Sequence, residues 1–131
     1  MSTADDVRRI CASLEGVSEG PDELRFRVAG KPMCWAWLER PAPRMRRVPN
    51  LDVLGIRVDG EETKQALLDL DDAAFFTEPH YDGYPAILVR LAAVDVELLA
   101  RLLEGAWRLQ APRSLVRKAV PRGSREQRSS P

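Results

Sequence analysis

The sequence predicts an α+β fold: an antiparallel β-sheet with helices packed mainly on one face. Three observations predict it. Leu24, Phe26 and Val28 alternate with Arg25 and Arg27, the period of a half-buried strand, and a return strand follows after the turn at Ala29-Gly30. Leu99, Leu102, Leu103 and Ala106 recur at helical spacing and form one apolar stripe. The segments run helix, hairpin, strand, helix, two strands, two helices, so hairpin connections outnumber strand-helix-strand crossovers.

Each element has a local cause. Thr3 followed by Asp6 is an acidic form of the capping box, and Val7, Ile10, Cys11 and Leu14 then fall on one helix face until Gly16 stops it. The return strand of the hairpin covers Met33 to Leu38, with Trp35 and Trp37 on one face and Cys34 and Ala36 on the other. Pro32 has no N–H to give a ladder and belongs at the start of that strand. Glu39 to Asn50 holds three prolines and four arginines without periodicity, the composition of a solvated loop or loose hairpin tip. Strand character returns from Val53 to Val58. Gly60, Glu61 and Glu62 open a second helix, with Ala66, Leu67 and Leu70 as its expected buried stripe. Ala73 to Phe76 and Pro85 to Leu91 read as strands flanking a loop at Thr77 to Tyr84. Asp95 caps the long helix, and Pro112 ends it while suiting the first turn of another.

With 131 residues, 44% of them hydrophobic, the chain is sized for one domain with a substantial core. We place that domain at residues 1–120 and expect 121–131, which has no apolar residue but proline, to be a disordered basic tail. No apolar run approaches the roughly 20 residues that span a bilayer, and the amphipathic N-terminus has no secretory h-region, so a cytoplasmic protein is expected. Two cysteines, Cys11 and Cys34, make neither a disulfide framework nor a zinc quartet and read as small reduced side chains.

The net charge of zero is an average over unlike segments. Residues 31–50 carry +4 and residues 107–131 carry +6, around −8 for residues 51–106. The basic sets are Arg40, Arg44, Arg46 and Arg47 in the loop, and Arg113, Arg117 and Lys118 near the C-terminus, with Arg122, Arg125 and Arg128 beyond. Arg113 and Arg117 are four apart and share a helix face. Such side chains neutralise phosphates without reading bases; an ordinary solvated surface is the structural alternative.

Catalytic groups are sparse. His80 is the only histidine, with Glu78 and Asp82 as its nearest possible co-ligands, so no metal site is expected. Cys34 lies mid-strand without an identifiable base, Ser114 has none either, and the glycines are scattered rather than gathered into a phosphate loop. The acidic pairs (Asp5-Asp6, Glu61-Glu62, Asp71-Asp72) sit at helix ends or turns, where a structural role suffices. No enzyme activity and no cofactor are expected. Trp35 and Trp37 read first as core beneath a helix and second as a stacking platform.

Taken together, the opening helix ending in SLEGVSEG, the strand pair RFRVAGKPMCWAW, the segment HYDGYPAILVRL and the closing ELLARLLEGAWRLQAPRSLVRKA resemble the MmcQ/YjbR family, across residues 4 to 119. The resemblance implies a CyaY-like (frataxin-like) α+β fold. It also implies DNA binding, by analogy with sheet hairpins that grip a duplex, and it brings no catalytic residues. One departure is the arginine- and proline-rich loop 39–50, which is longer and more basic than the family pattern. The acidic ridge through which frataxins hold iron is not reproduced, since Asp5, Asp6 and Glu15 are few and interleaved with Arg8 and Arg9.

The expectation is therefore a DNA-binding protein that makes mainly non-specific phosphate contacts with double-stranded DNA through Arg44, Arg46, Arg47, Arg113, Arg117 and Lys118. The alternative is a protein- or small-ligand-binding module that uses a cleft lined by Trp35, Trp37, Tyr81 and Tyr84. The oligomeric state stays open, with a monomer favoured. Whether the two basic segments share a face decides between these readings.

Overall fold

Six antiparallel strands form one sheet, in the spatial order 17–19, 26–28, 31–39, 48–57, 86–90 and 75–76. The computed structural model describes residues 1–40 and 42–117. The elements are α1 (Ala4–Ala12), β1 (Val17–Glu19), β2 (Phe26–Val28), β3 (Lys31–Glu39), β4 (Val48–Arg57), α2 (Glu61–Leu70), β5 (Phe75–Phe76), β6 (Ala86–Arg90) and α3 (Val96–Gln110). Single 3-10 turns lie at Pro79–Tyr81 and Leu91–Ala93, and residues 113–117 are helical. The α+β expectation is borne out.

The helix starts follow the sequence closely. Thr3 donates its backbone N–H to Asp6 Oδ2 at 2.9 Å while its own hydroxyl accepts from Asp6 N, a complete capping box. Asp95 accepts from the backbone N–H of Leu98 at 2.7 Å and caps α3. α1 and α3 pack against each other, and α3 lies across β3 and β4. Val7, Ile10 and Cys11 of α1 and Leu99, Leu103, Ala106 and Trp107 of α3 close over Cys34, Ala36, Leu54, Ile56, Ile87 and Val89 of the sheet. Burying each of these larger side chains contributes roughly 1.5–3 kcal/mol. Trp107, 2% exposed, also donates its indole N–H to the Glu15 carbonyl at 2.9 Å and so ties α3 to the end of α1. Cys11 and Cys34 are free thiols inside this core. Burial pushes the Cys34 thiol well up, and a hydrogen bond with Cys11 adds to the shift.

Four segments differ from expectation, each for a local reason. β1 is an additional edge strand, pairing Val17 with Val28, and at three residues it is too short to show a period. Leu24 is not in β2: its φ of 57° puts it in a turn, where Glu19 accepts its N–H at 2.9 Å and its side chain is fully buried. β4 begins at Val48 rather than Val53, because the hairpin zips beyond a register shift that pairs Trp37 with Asn50 and Glu39 with Val48. α2 buries Lys64 and Leu67, whereas Ala66 and Leu70 face solvent. The helix is turned so that Lys64 Nζ donates to the carbonyls of Tyr81 (2.6 Å) and Tyr84 (3.0 Å).

Candidate nucleic-acid interface and aromatic cleft

The sheet face away from α1 and α3 carries a second, smaller apolar layer. Trp35, Val53, Ala86 and Leu88 are buried there, outside the main core. Its cover is the loop between β5 and β6, not a helix. Trp35 donates its indole N–H to the Tyr81 hydroxyl at 2.9 Å, and its ring lies across Gly55, its register partner on β4. A Cβ on Gly55 would stand 2.4 Å from Trp35 Nε1, so only glycine lets this indole lie flat on the neighbouring strand. Tyr84 packs beside Trp35 and Tyr81, at ring separations of 6.3 and 6.1 Å, while Phe76 meets Trp37 edge-on at 5.5 Å.

Arginines edge this layer. Arg90 stacks 4.1 Å above the Phe76 ring, and Arg57 lies 5.6 Å from the Tyr84 ring while donating to the Pro85 carbonyl. Between the layer and the β3–β4 hairpin lies a cleft of about 190 Å³, walled by Trp35, Trp37 and Tyr81, with Arg25, Arg47 and His80 among its polar residues and Glu78 as its acid. The cleft thus uses three of the four residues expected of it. Tyr84 does not line it. Sequence reasoning missed Arg25, Glu78 and His80 as cleft residues. They come from segments far apart in the chain, and no spacing signal joins them. Burial raises the Tyr81 hydroxyl above its ordinary range, with the Trp35 N–H pulling the other way.

The hairpin tip carries Arg40, Arg44, Arg46 and Arg47, all exposed. Arg40 donates to the Met45 carbonyl at 2.6 Å and Arg47 to the Leu38 carbonyl at 3.0 Å, which pins the tip against the end of β3. None of the four forms an ion pair with an acid among the described residues, in contrast to Arg8, Arg9, Arg25 and Arg108. Their charge is therefore available to a ligand.

Arg113 and Arg117 do not join them. Gln110 donates to the Pro32 carbonyl at 2.7 Å, and the Leu115 side chain sits against Gly16, so the 113–117 segment lies near the beginning of β3. The arginine tip lies at the other end of that strand, roughly 26 Å away by strand rise. The two basic segments, whose sharing of a face the sequence left open, thus lie at opposite ends of β3. Lys118, Arg122, Arg125, Arg128 and the expected tail 121–131 fall outside the described residues.

A larger groove, about 360 Å³, runs between α3 and the junction of β4 with α2, floored by Val58, Leu102, Ala106 and Leu109 and edged by Arg57 and Arg101. Among the described residues, no three His, Cys, Asp or Glu side chains gather as a metal set, and no helix is long and apolar enough to cross a membrane.

An antiparallel sheet with helices on one face, and on the other an aromatic layer covered by a loop and edged by arginines, defines a small α+β protein. The chain belongs to the YjbR family, whose family model matches residues 12–109. It is 40% identical over 126 residues to the uncharacterized protein Rv2570 of Mycobacterium tuberculosis, covering 88% of this chain and 94% of that protein. The uncharacterized protein Mb2600 of Mycobacterium bovis matches with the same identity and coverage. The crystal structure of Deinococcus radiodurans protein DR2400, with a DUF419 domain, resembles the whole chain and 91% of that one with a TM-score of 0.57. At 21% identity, that likeness concerns the fold alone.

Proposed function

We propose that this YjbR-family chain is a non-catalytic, cytoplasmic DNA-binding protein that holds the phosphate backbone on its β3–β4 hairpin. The observation that carries the reading is the hairpin tip, where Arg40, Arg44, Arg46 and Arg47 are exposed and unmatched by any described acid. Phosphate contacts of this kind bind without sequence preference and weaken steeply with salt. Arg40 and Arg47 are braced by backbone carbonyls, so the tip offers its charge from a held hairpin rather than a loose loop. The separation of Arg113 and Arg117 from the tip weighs towards the binding-module alternative and narrows the DNA reading to the hairpin alone.

The test is titration of a labelled DNA duplex at about 50 and 200 mM salt. Binding at low salt with a negative slope against log salt supports the proposal. The variant with Arg44, Arg46 and Arg47 changed to Ala flattens that slope by about one per arginine. Absence of binding by the unaltered protein at low salt contradicts it.

A further inference from the structure

We propose that the cleft walled by Trp35, Trp37 and Tyr81 receives an unpaired base of a DNA strand whose phosphates continue over Arg47 onto the hairpin; this rests on the DNA-binding reading above. Three features carry it. The cleft, about 190 Å³, is smaller than the roughly 300 Å³ at which drug-sized ligand sites begin, which suits one planar ring system. Its walls are aromatic, the surface on which bases of any identity stack. Arg47, which pairs with no acid among the described residues, stands at its edge, so a phosphate beside the ring would meet a guanidinium that continues onto the hairpin tip.

Trp37 is the indole suited to this role. Trp35 and Trp107 are 8% and 2% exposed and are fixed by hydrogen bonds to Tyr81 and Glu15. Trp37 as a residue is only half-buried, while its indole nitrogen is buried and has no acceptor among the described residues, so it is the ring face and not the N–H that a base would meet. Phe76 meets its ring nearly at right angles, with centroids 5.5 Å apart. A free nucleotide would satisfy the cleft, but the arginines do not stop there. Arg44, Arg46 and Arg40 extend the positive surface past the reach of one phosphate, which favours a strand over a mononucleotide.

The experiment compares a short oligothymidylate, a duplex of equal length and thymidine monophosphate, read by anisotropy and by tryptophan emission. The single strand is expected to bind about tenfold more tightly than the duplex and to quench emission. Trp37→Leu removes the preference and the quenching while duplex affinity stays within about twofold. His80→Glu, at an exposed turn where folding is not at stake, lowers single-strand affinity more than duplex affinity. Equal affinity for strand and duplex overturns the inference and leaves the hairpin reading standing. So does a preference that survives both substitutions. Thymidine monophosphate binding as tightly as the strand overturns the choice of a strand as occupant. Failure of every DNA to bind removes both readings together.

Discussion

Trp35 donates its indole N–H to the hydroxyl of Tyr81 at 2.9 Å, across 46 residues of chain. This bond holds the loop that enters β6 against the middle of β3, and it forms one wall of the cleft. Burial raises the Tyr81 hydroxyl above its ordinary value near 10. A folded-state value above the unfolded one means that folding favours the protonated phenol. That contribution is complete below about pH 10 and is lost as pH rises through the folded-state value. Urea midpoints are therefore expected to fall more steeply above about pH 10, beyond the decline that the buried Cys34 thiol begins near pH 9, and this added fall is expected to be smaller in Tyr81→Phe than in the unaltered protein. An identical decline in both proteins contradicts the assignment to Tyr81.

Two glycines should answer alanine in opposite directions. At Gly55 the new methyl meets the Trp35 ring, so Gly55→Ala is expected to cost about 1–3 kcal/mol and to expose Trp35. Gly105 lies inside α3 with open space where its Cβ would stand, and Gly105→Ala is expected to stabilise by about 0.5–1 kcal/mol. Urea denaturation followed by tryptophan emission measures both.

Lys64 is 2% exposed and spends its ammonium on the Tyr81 and Tyr84 carbonyls. Lys64→Met keeps the apolar stem but removes the charged donor from both carbonyls, which keep only the backbone N–H groups of Tyr84 and Ala86, at a cost of about 1–3 kcal/mol. Hydrogen exchange should quicken across residues 77–85 while the core of α3 stays protected. Uniform loss of protection would mean that Lys64 supports the whole fold rather than this loop.

Much of the fold was legible because its causes are local. The capping box at Thr3 and Asp6, the Asp95 cap and the Leu99–Leu103 stripe each lie within a few residues of sequence. The shared face of Trp35 and Trp37 follows from the two-residue period of a strand alone. The failures are tertiary. Leu24 alternates like a strand residue, yet its positive φ and the Glu19 carboxylate hold it in a turn. Ala66 and Leu70 look like a buried stripe, yet Lys64 turns α2 away from them. Pro49 and Asn50 look like loop, yet they pair across the hairpin with Leu38 and Trp37. The family resemblance, carried by YPAILVRL and the leucine helix, was legible through packing residues. The cleft was half legible, since its aromatics were visible but Arg25, Glu78 and His80 converge only through the sheet.

The central claim is that DNA is held by the arginine tip between β3 and β4. Duplex titration at low salt, comparing the unaltered protein with the Arg44, Arg46, Arg47 triple alanine variant and with an Arg113, Arg117 double alanine variant, tests it most directly. The tip variant is expected to lose most of the affinity, by about tenfold or more, with its salt slope reduced by about three. The double variant is expected to keep affinity within about threefold. Unchanged binding by the tip variant, or loss confined to the Arg113 and Arg117 variant, would contradict the account.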